Sequence, residues 1–114
     1  MQLKIEFYEK ADGTQPAKEF LNSLDKPMRA KMVRVIKMLE VNGNDLREPY
    51  SKALGDGIFE LRAKVGNNIS RELYFFYVGE NAVLTNGFIK KTTKTPSAEI
   101  QLAKKYRDDY NKRK

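Results

Sequence analysis

The chain contains no cysteine and no histidine. The first absence excludes disulfides, thiolate nucleophiles and zinc sites built on sulfur; the second excludes imidazole bases and histidine-ligated metals. A carboxylate-only Mg²⁺ site is what remains for a metal, and no group of Asp and Glu stands at a spacing that suggests one. Any catalysis therefore runs on Lys, Arg, Tyr, Ser, Thr, Asp or Glu, with no cofactor. Long apolar runs are missing as well. Nothing has the length of a membrane span, and the start, Met1-Gln2-Leu3-Lys4-Ile5-Glu6-Phe7, alternates like a strand instead of resembling a signal peptide. The expected setting is the cytoplasm, away from membranes.

What is present fits one domain, residues 1–114, able to bury roughly two-thirds of its unfolded surface in a single core. The net charge of +7 is unevenly spread: residues 1–57 hold 10 Lys/Arg against 9 Asp/Glu, and residues 58–114 hold 12 against 6. That excess favours an anionic partner for the second half. Charge alone does not separate such a surface from a merely solvated one.

Residues 2–9 alternate Leu3, Ile5 and Phe7 with Lys4, Glu6 and Tyr8, the period of a strand. Asp12-Gly13 marks a turn. Thr14 then caps a short helix with Pro16 in its first turn and Phe20, Leu21 and Leu24 inside. Asp25 caps a second helix, with Pro27 near its start and Gly43 at its end. Met28, Met32, Val35, Ile36 and Leu39 recur at helical spacing and read as core, and the opposite row, Arg29, Lys31, Arg34 and Lys37, reads as solvated. Residues 44–56 read as a surface loop. Strands are expected at about 58–65, 69–78 and 82–91, joined by two-residue turns at Asn67-Asn68 and Glu80-Asn81. Thr95-Pro96 caps a last helix, 97–112, that buries Leu102, Ala103, Tyr106 and Tyr110. The expectation is an α+β fold: a twisted antiparallel sheet of about four strands, an N-terminal helix hairpin on one face and a C-terminal helix.

Those turns set a register. Lys64 falls opposite Arg71, Arg62 opposite Leu73, Arg71 opposite Lys90 and Leu73 opposite Phe88. Cross-strand partners share a face, so Glu60, Arg62, Lys64, Arg71 and Lys90 line one side. Phe59, Leu61, Tyr74, Phe76, Val83 and Ile89 line the other, against the helices. A slip of one residue in either turn breaks the cluster.

Cations that converge on one sheet face repel one another until an anion arrives, and the repulsion lowers the pKa of a lysine among them. RNA cleavage by the 2′-hydroxyl needs a proton acceptor, a stabiliser for the phosphorane charge and a proton donor for the leaving 5′-oxygen. Lys90, Lys91 or Lys94 can act as base or acid, with Arg62 and Arg71 as the charge clamp. Lys64 adds an RNA-binding cation, and Tyr77 and Phe88, on the same face in this register, can stack bases. No metal is required. Against this stand plainer readings: Arg71 paired with Glu60 or Glu72, and Lys90-Lys91-Thr92-Thr93-Lys94 as a simple basic loop.

The pieces "GIFELR", "SRELYFFY", "GFIKKTTKTP" and "SAEI", in that order, give the chain its resemblance to toxins of the RelE/HigB type from bacterial type II toxin–antitoxin modules, in the phage-related HigB-like branch. The resemblance implies a small RelE-like fold and ribosome-dependent cleavage of mRNA. It also implies a hetero-oligomer with a helix-turn-helix, HigA-like antitoxin. Arg62 matches the basic residue of the family's second strand, Arg71 the arginine of its third, and Lys90, Lys91 and Lys94 its next basic group. Some relatives use an active-site histidine, which this chain lacks. The ParE branch shares the fold and targets gyrase, so a ParE-like inhibitor and a non-catalytic basic RNA- or protein-binding domain are the competing readings.

Overall fold

A computed structural model describes residues 3–91 and 94–114. Gln2, where the first strand is expected to begin, and Thr92 and Thr93 of the basic run lie outside the described residues. The elements run β1 (Lys4–Phe7), α1 (Pro16–Ser23), α2 (Lys26–Asn42), β2 (Ser51–Gly55), β3 (Ile58–Val65), β4 (Asn68–Tyr77), β5 (Asn81–Ile89) and α3 (Ser97–Lys112). The strands form one sheet of five in the order β1-β5-β4-β3-β2. β1 pairs parallel to β5 and the other neighbours pair antiparallel, so the sheet is mixed and one strand wider than the sequence suggests.

The extra strand is β2, inside the stretch read as a loop. Gly55 pairs with Ile58 across Asp56-Gly57, and both turn residues have positive φ (53° and 77°). A two-residue Asp-Gly loop of this kind has the twist that two antiparallel strands require. At α2 the expected cap holds: the Asp25 carboxylate accepts from the Met28 backbone N–H at 3.1 Å. The other two caps differ. The Thr14 N–H donates to Asp12 Oδ1 at 2.9 Å, and α1 begins two residues later at Pro16 without a side-chain cap. The Thr95 hydroxyl donates to Glu60 instead of to the start of α3.

The register is corrected twice. Val65 pairs with Asn68, so the first turn is Gly66-Asn67, with Gly66 supplying the positive φ of 61°. Pairing shifts by two residues, an even number, and Arg62 faces Arg71 while Lys64 faces Ile69. The second turn has three residues, Val78-Gly79-Glu80, because Tyr77 pairs with Asn81. That odd shift moves Val83 off the expected face and into the layer with Phe75. A bulge then falls at Thr85, between the Tyr74–Leu84 and Leu73–Asn86 pairs. The extra residue restores the original parity, and Phe88 stands opposite Arg71.

Helices cover both faces. Leu61, Ala63, Tyr74, Ala82 and Leu84 pack under α1 and α2, against Leu21, Met28, Met32, Val35 and Leu39. Ile58, Leu73, Phe75, Val83 and Phe88 form the second layer with Ala103 and Tyr110 of α3. Ile89, expected against the helices, is exposed. Among the described residues, no helix is long and apolar enough to cross a membrane.

Candidate functional site

Glu60 is fully buried on the α3 side of β3. A buried carboxylate is costly unless charges or donors surround it. Here Arg62 Nε donates to its Oε2 at 3.0 Å, Arg71 Nε lies 3.2 Å from the same oxygen, and the Thr95 hydroxyl donates to Oε1. Arg62 and Arg71 stand directly opposite each other, an arrangement that destabilises a sheet when left uncompensated. Glu60 is the counter-charge that allows it. Arg71 thus pairs with Glu60, while Glu72 points to the opposite face and its carboxylate meets no hydrogen-bond partner among the described residues. Burial pushes the Glu72 carboxyl well above the ordinary carboxylate range.

The far end of Arg62 reaches Glu48 at 3.2 Å, an exposed pair of small energetic weight. Beside it a hollow of about 280 Å³ is lined by Lys52, Arg62, Lys90, Lys94, Thr95 and Ile100. β2 contributes Lys52, β3 Arg62, the segment after β5 its lysines, and the first turn of α3 Ile100. Burial lowers the pKa of Lys90, and Arg71 lowers it further, with Glu60 opposing and Arg62 and Lys52 adding smaller effects. The repulsion expected from the sequence is present, but it ranks behind desolvation. Burial likewise lowers the pKa of Arg71, against the pull of Glu60.

Of the residues named from sequence, Arg62, Lys90 and Lys94 line this hollow, and Arg71 adjoins Arg62 behind it. Lys64 is exposed near the β3–β4 turn and lines a neighbouring hollow with Arg62 and Arg71. Lys91 is exposed and lines neither. Phe88 is buried in the layer under α3. Tyr77 sits at the other end of β4, edge-on to Tyr110 at 5.1 Å, remote from the cations. Neither aromatic is available as a stacking platform beside Arg62.

Lys52, Thr95 and the anchoring role of Glu60 were not read from the sequence. Lys52 was hidden by the missed strand, whose signal was Asp56-Gly57. Glu60, between Phe59 and Leu61, falls on the cationic face by alternation, but the sequence carries no sign of its burial. A further hollow of about 550 Å³ contains Glu6, Tyr8, Tyr110 and Arg113. Its polar groups satisfy one another: Tyr8 donates to Asp109 at 2.6 Å and Tyr110 to Glu6 at 2.8 Å. Those contacts fasten α3 to β1.

The arrangement offers a polyanion a fixed pair of guanidiniums, a lysine of lowered pKa and further ammonium groups around one opening. Such a set can bind a phosphodiester, stabilise added charge on it and move a proton at its edge. Residues 19–108 match the family model described as Phage derived protein Gp49-like (DUF891). No curated protein matches the chain.

Proposed function

The chain belongs to the Gp49-like family of phage-derived proteins, and from that premise and the cationic hollow we propose that it is the toxin of a type II toxin–antitoxin module, an endoribonuclease that cuts mRNA on the ribosome. The family's association with RelE-type toxins supports the toxin reading. The observation that carries the enzymatic reading is the pair Arg62–Arg71, fixed by Glu60 beside Lys90 and an open hollow. A binding surface has no need of a buried carboxylate to aim two guanidiniums, whereas charge stabilisation in a transition state depends on such preorganisation.

In the proposed reaction the ribose 2′-oxygen attacks the adjacent phosphorus and the bond from phosphorus to the 5′-oxygen breaks. The products are a 2′,3′-cyclic phosphate and a free 5′-hydroxyl. Arg62 and Arg71 hold the phosphoryl oxygens as charge builds on them. Lys90, whose ammonium is weakened by burial and by Arg71, takes the 2′ proton. Lys94, in the segment that Thr95 ties to Glu60, donates one to the 5′-oxygen. None of these steps needs a metal. Lysines are weak acid–base catalysts at neutral pH, so much of the acceleration comes from holding the three reacting atoms in line, a contribution of up to ~7–11 kcal/mol. A codon held in the decoding site is already positioned; a free message is not. The partners are the ribosome and its mRNA, and a helix-turn-helix antitoxin that covers Arg62, Arg71 and Lys90 in a hetero-oligomer.

The test is induction of the chain in a bacterium, with RNA 5′ ends mapped and plasmid supercoiling measured. The expected result is growth arrest with cuts inside translated messages. Intact messages and relaxed plasmid would replace this reading with a ParE-like inhibitor of gyrase.

A further inference from the structure

Arg62 forms a wall of two hollows. The second, of about 560 Å³, is twice the size of the first and falls within the range of small-ligand pockets. Its lining is of a different kind. Pro49, Tyr50 and Ile69 make an apolar and aromatic side, and Lys31 and Lys64 make a charged one. Tyr50 is tied to the cation pair by the main chain, since its carbonyl accepts from the Arg62 N–H at 2.9 Å. Lys31 belongs to the basic row of α2 that reads as solvated from sequence, yet it is half-buried here while Arg34 and Lys37 are exposed. Arg71 also borders this hollow, its Nε held 3.2 Å from Glu60 Oε2.

An aromatic wall beside a guanidinium pair, flanked by ammonium groups, is the recurring chemistry of single-stranded nucleic-acid binding: a charged track for the backbone and a π-face for the base. We propose that this hollow is a nucleobase subsite. It takes the base of a nucleotide next to the phosphate held by Arg62 and Arg71, stacks it on Tyr50, and directs the neighbouring phosphate toward Lys31 and Lys64. The subsite rests on the phosphodiester reading of the first hollow. It also supplies the stacking platform that Phe88 and Tyr77 do not provide.

The chain has no tryptophan, so Tyr50→Trp installs a single indole reporter at the wall. Two deoxyoligonucleotides of equal length are titrated against it, one carrying bases and one abasic throughout; neither has a 2′-hydroxyl, so neither is cut. The expected result is quenching by the base-bearing oligomer alone, with affinity roughly 5- to 100-fold higher than for the abasic one. In Tyr50→Ala, read by the fluorescence anisotropy of end-labelled oligomers, that preference is expected to vanish. Equal affinity for both oligomers without quenching would overturn the subsite and leave the phosphate-binding hollow standing. Failure of both oligomers to bind would overturn the subsite and the phosphate-binding hollow together.

Discussion

Arg71 has two roles that a substitution must separate. Its side chain is nearly buried against Glu60, so removing it affects stability, and it faces Arg62 where a phosphate would sit, so removing it affects chemistry. Arg71→Ala leaves Glu60 in contact with Arg62 and Thr95, so the carboxylate is not stranded. The expected outcome is a folded protein, weakened by about 1–3 kcal/mol, whose cleavage rate falls by roughly 10²–10³. Single-turnover cleavage together with thermal denaturation checks this; an unchanged rate with a lowered melting temperature would make Arg71 a structural partner of Glu60 and nothing more. Glu72 makes the opposite case, a carboxyl that costs stability. It is buried without a hydrogen-bond partner among the described residues, and its folded pKa stands well above the ordinary value of 4.5. The folded protein therefore keeps a proton that the unfolded chain releases, and this group's contribution is whole below that ordinary value. It declines as pH rises toward the raised value, by up to about 1.4 kcal/mol per pH unit. Glu72→Gln cannot titrate. Its unfolding free energy is expected to exceed that of wild type at pH 7, with the difference closing near pH 4 in denaturant titrations.

At the scale of elements, the seating of α1 depends on a missing side chain. A Cβ at Gly87 would stand 2.2 Å from Phe20 Cδ2 and 2.8 Å from Cγ, atoms of the ring's near side that cannot swing clear. Gly87→Ala is expected to destabilise by about 1–3 kcal/mol. In a Phe20→Ala background the same change should cost far less, and a double-mutant cycle by denaturant unfolding reads that coupling; additive losses would mean that α1 does not rest on β5 as described. Much of this layout was legible from the chain. The helical period of Met28, Met32, Val35 and Leu39, the Asp25 cap and the alternation of β3 and β4 each follow from local rules. The basic face was legible for a less secure reason. The three-residue turn at Val78-Gly79-Glu80 changed the parity of β5, and the bulge at Thr85 changed it back, so Lys90 kept its side through two compensating shifts. β2 was not legible from hydrophobicity, because Lys52 and Ala53 are exposed and Ser51 is a polar residue that is buried. Its turn, Asp56-Gly57, was the available signal. The subsite beside Tyr50 joins residues from α2, the approach to β2, and β3 and β4, a convergence that local pattern does not encode.

Over the whole molecule, the +6 of residues 58–114 is deployed in two ways. Part holds the protein together: Lys104 and Arg107 of α3 reach Asp56 in the β2–β3 turn at 3.5 and 3.1 Å. Part surrounds the two hollows and the segment after β5, where an RNA surface can meet it. Docking on ribosomal RNA through that surface implies steep salt dependence, a log–log slope of about −0.7 to −0.9 for each phosphate contacted. In the proposed function, Arg62 and Arg71 act on a phosphodiester that the ribosome has already positioned. The most direct measurement follows cleavage of one defined mRNA, free and in programmed ribosomes, by wild type and Arg62→Ala. The expected outcome is cuts by wild type on the ribosome, negligible cutting of the free message, and a loss of roughly 10²–10³ in rate for Arg62→Ala on the ribosome. Rapid cutting of free RNA, or equal rates for the two proteins, would contradict it.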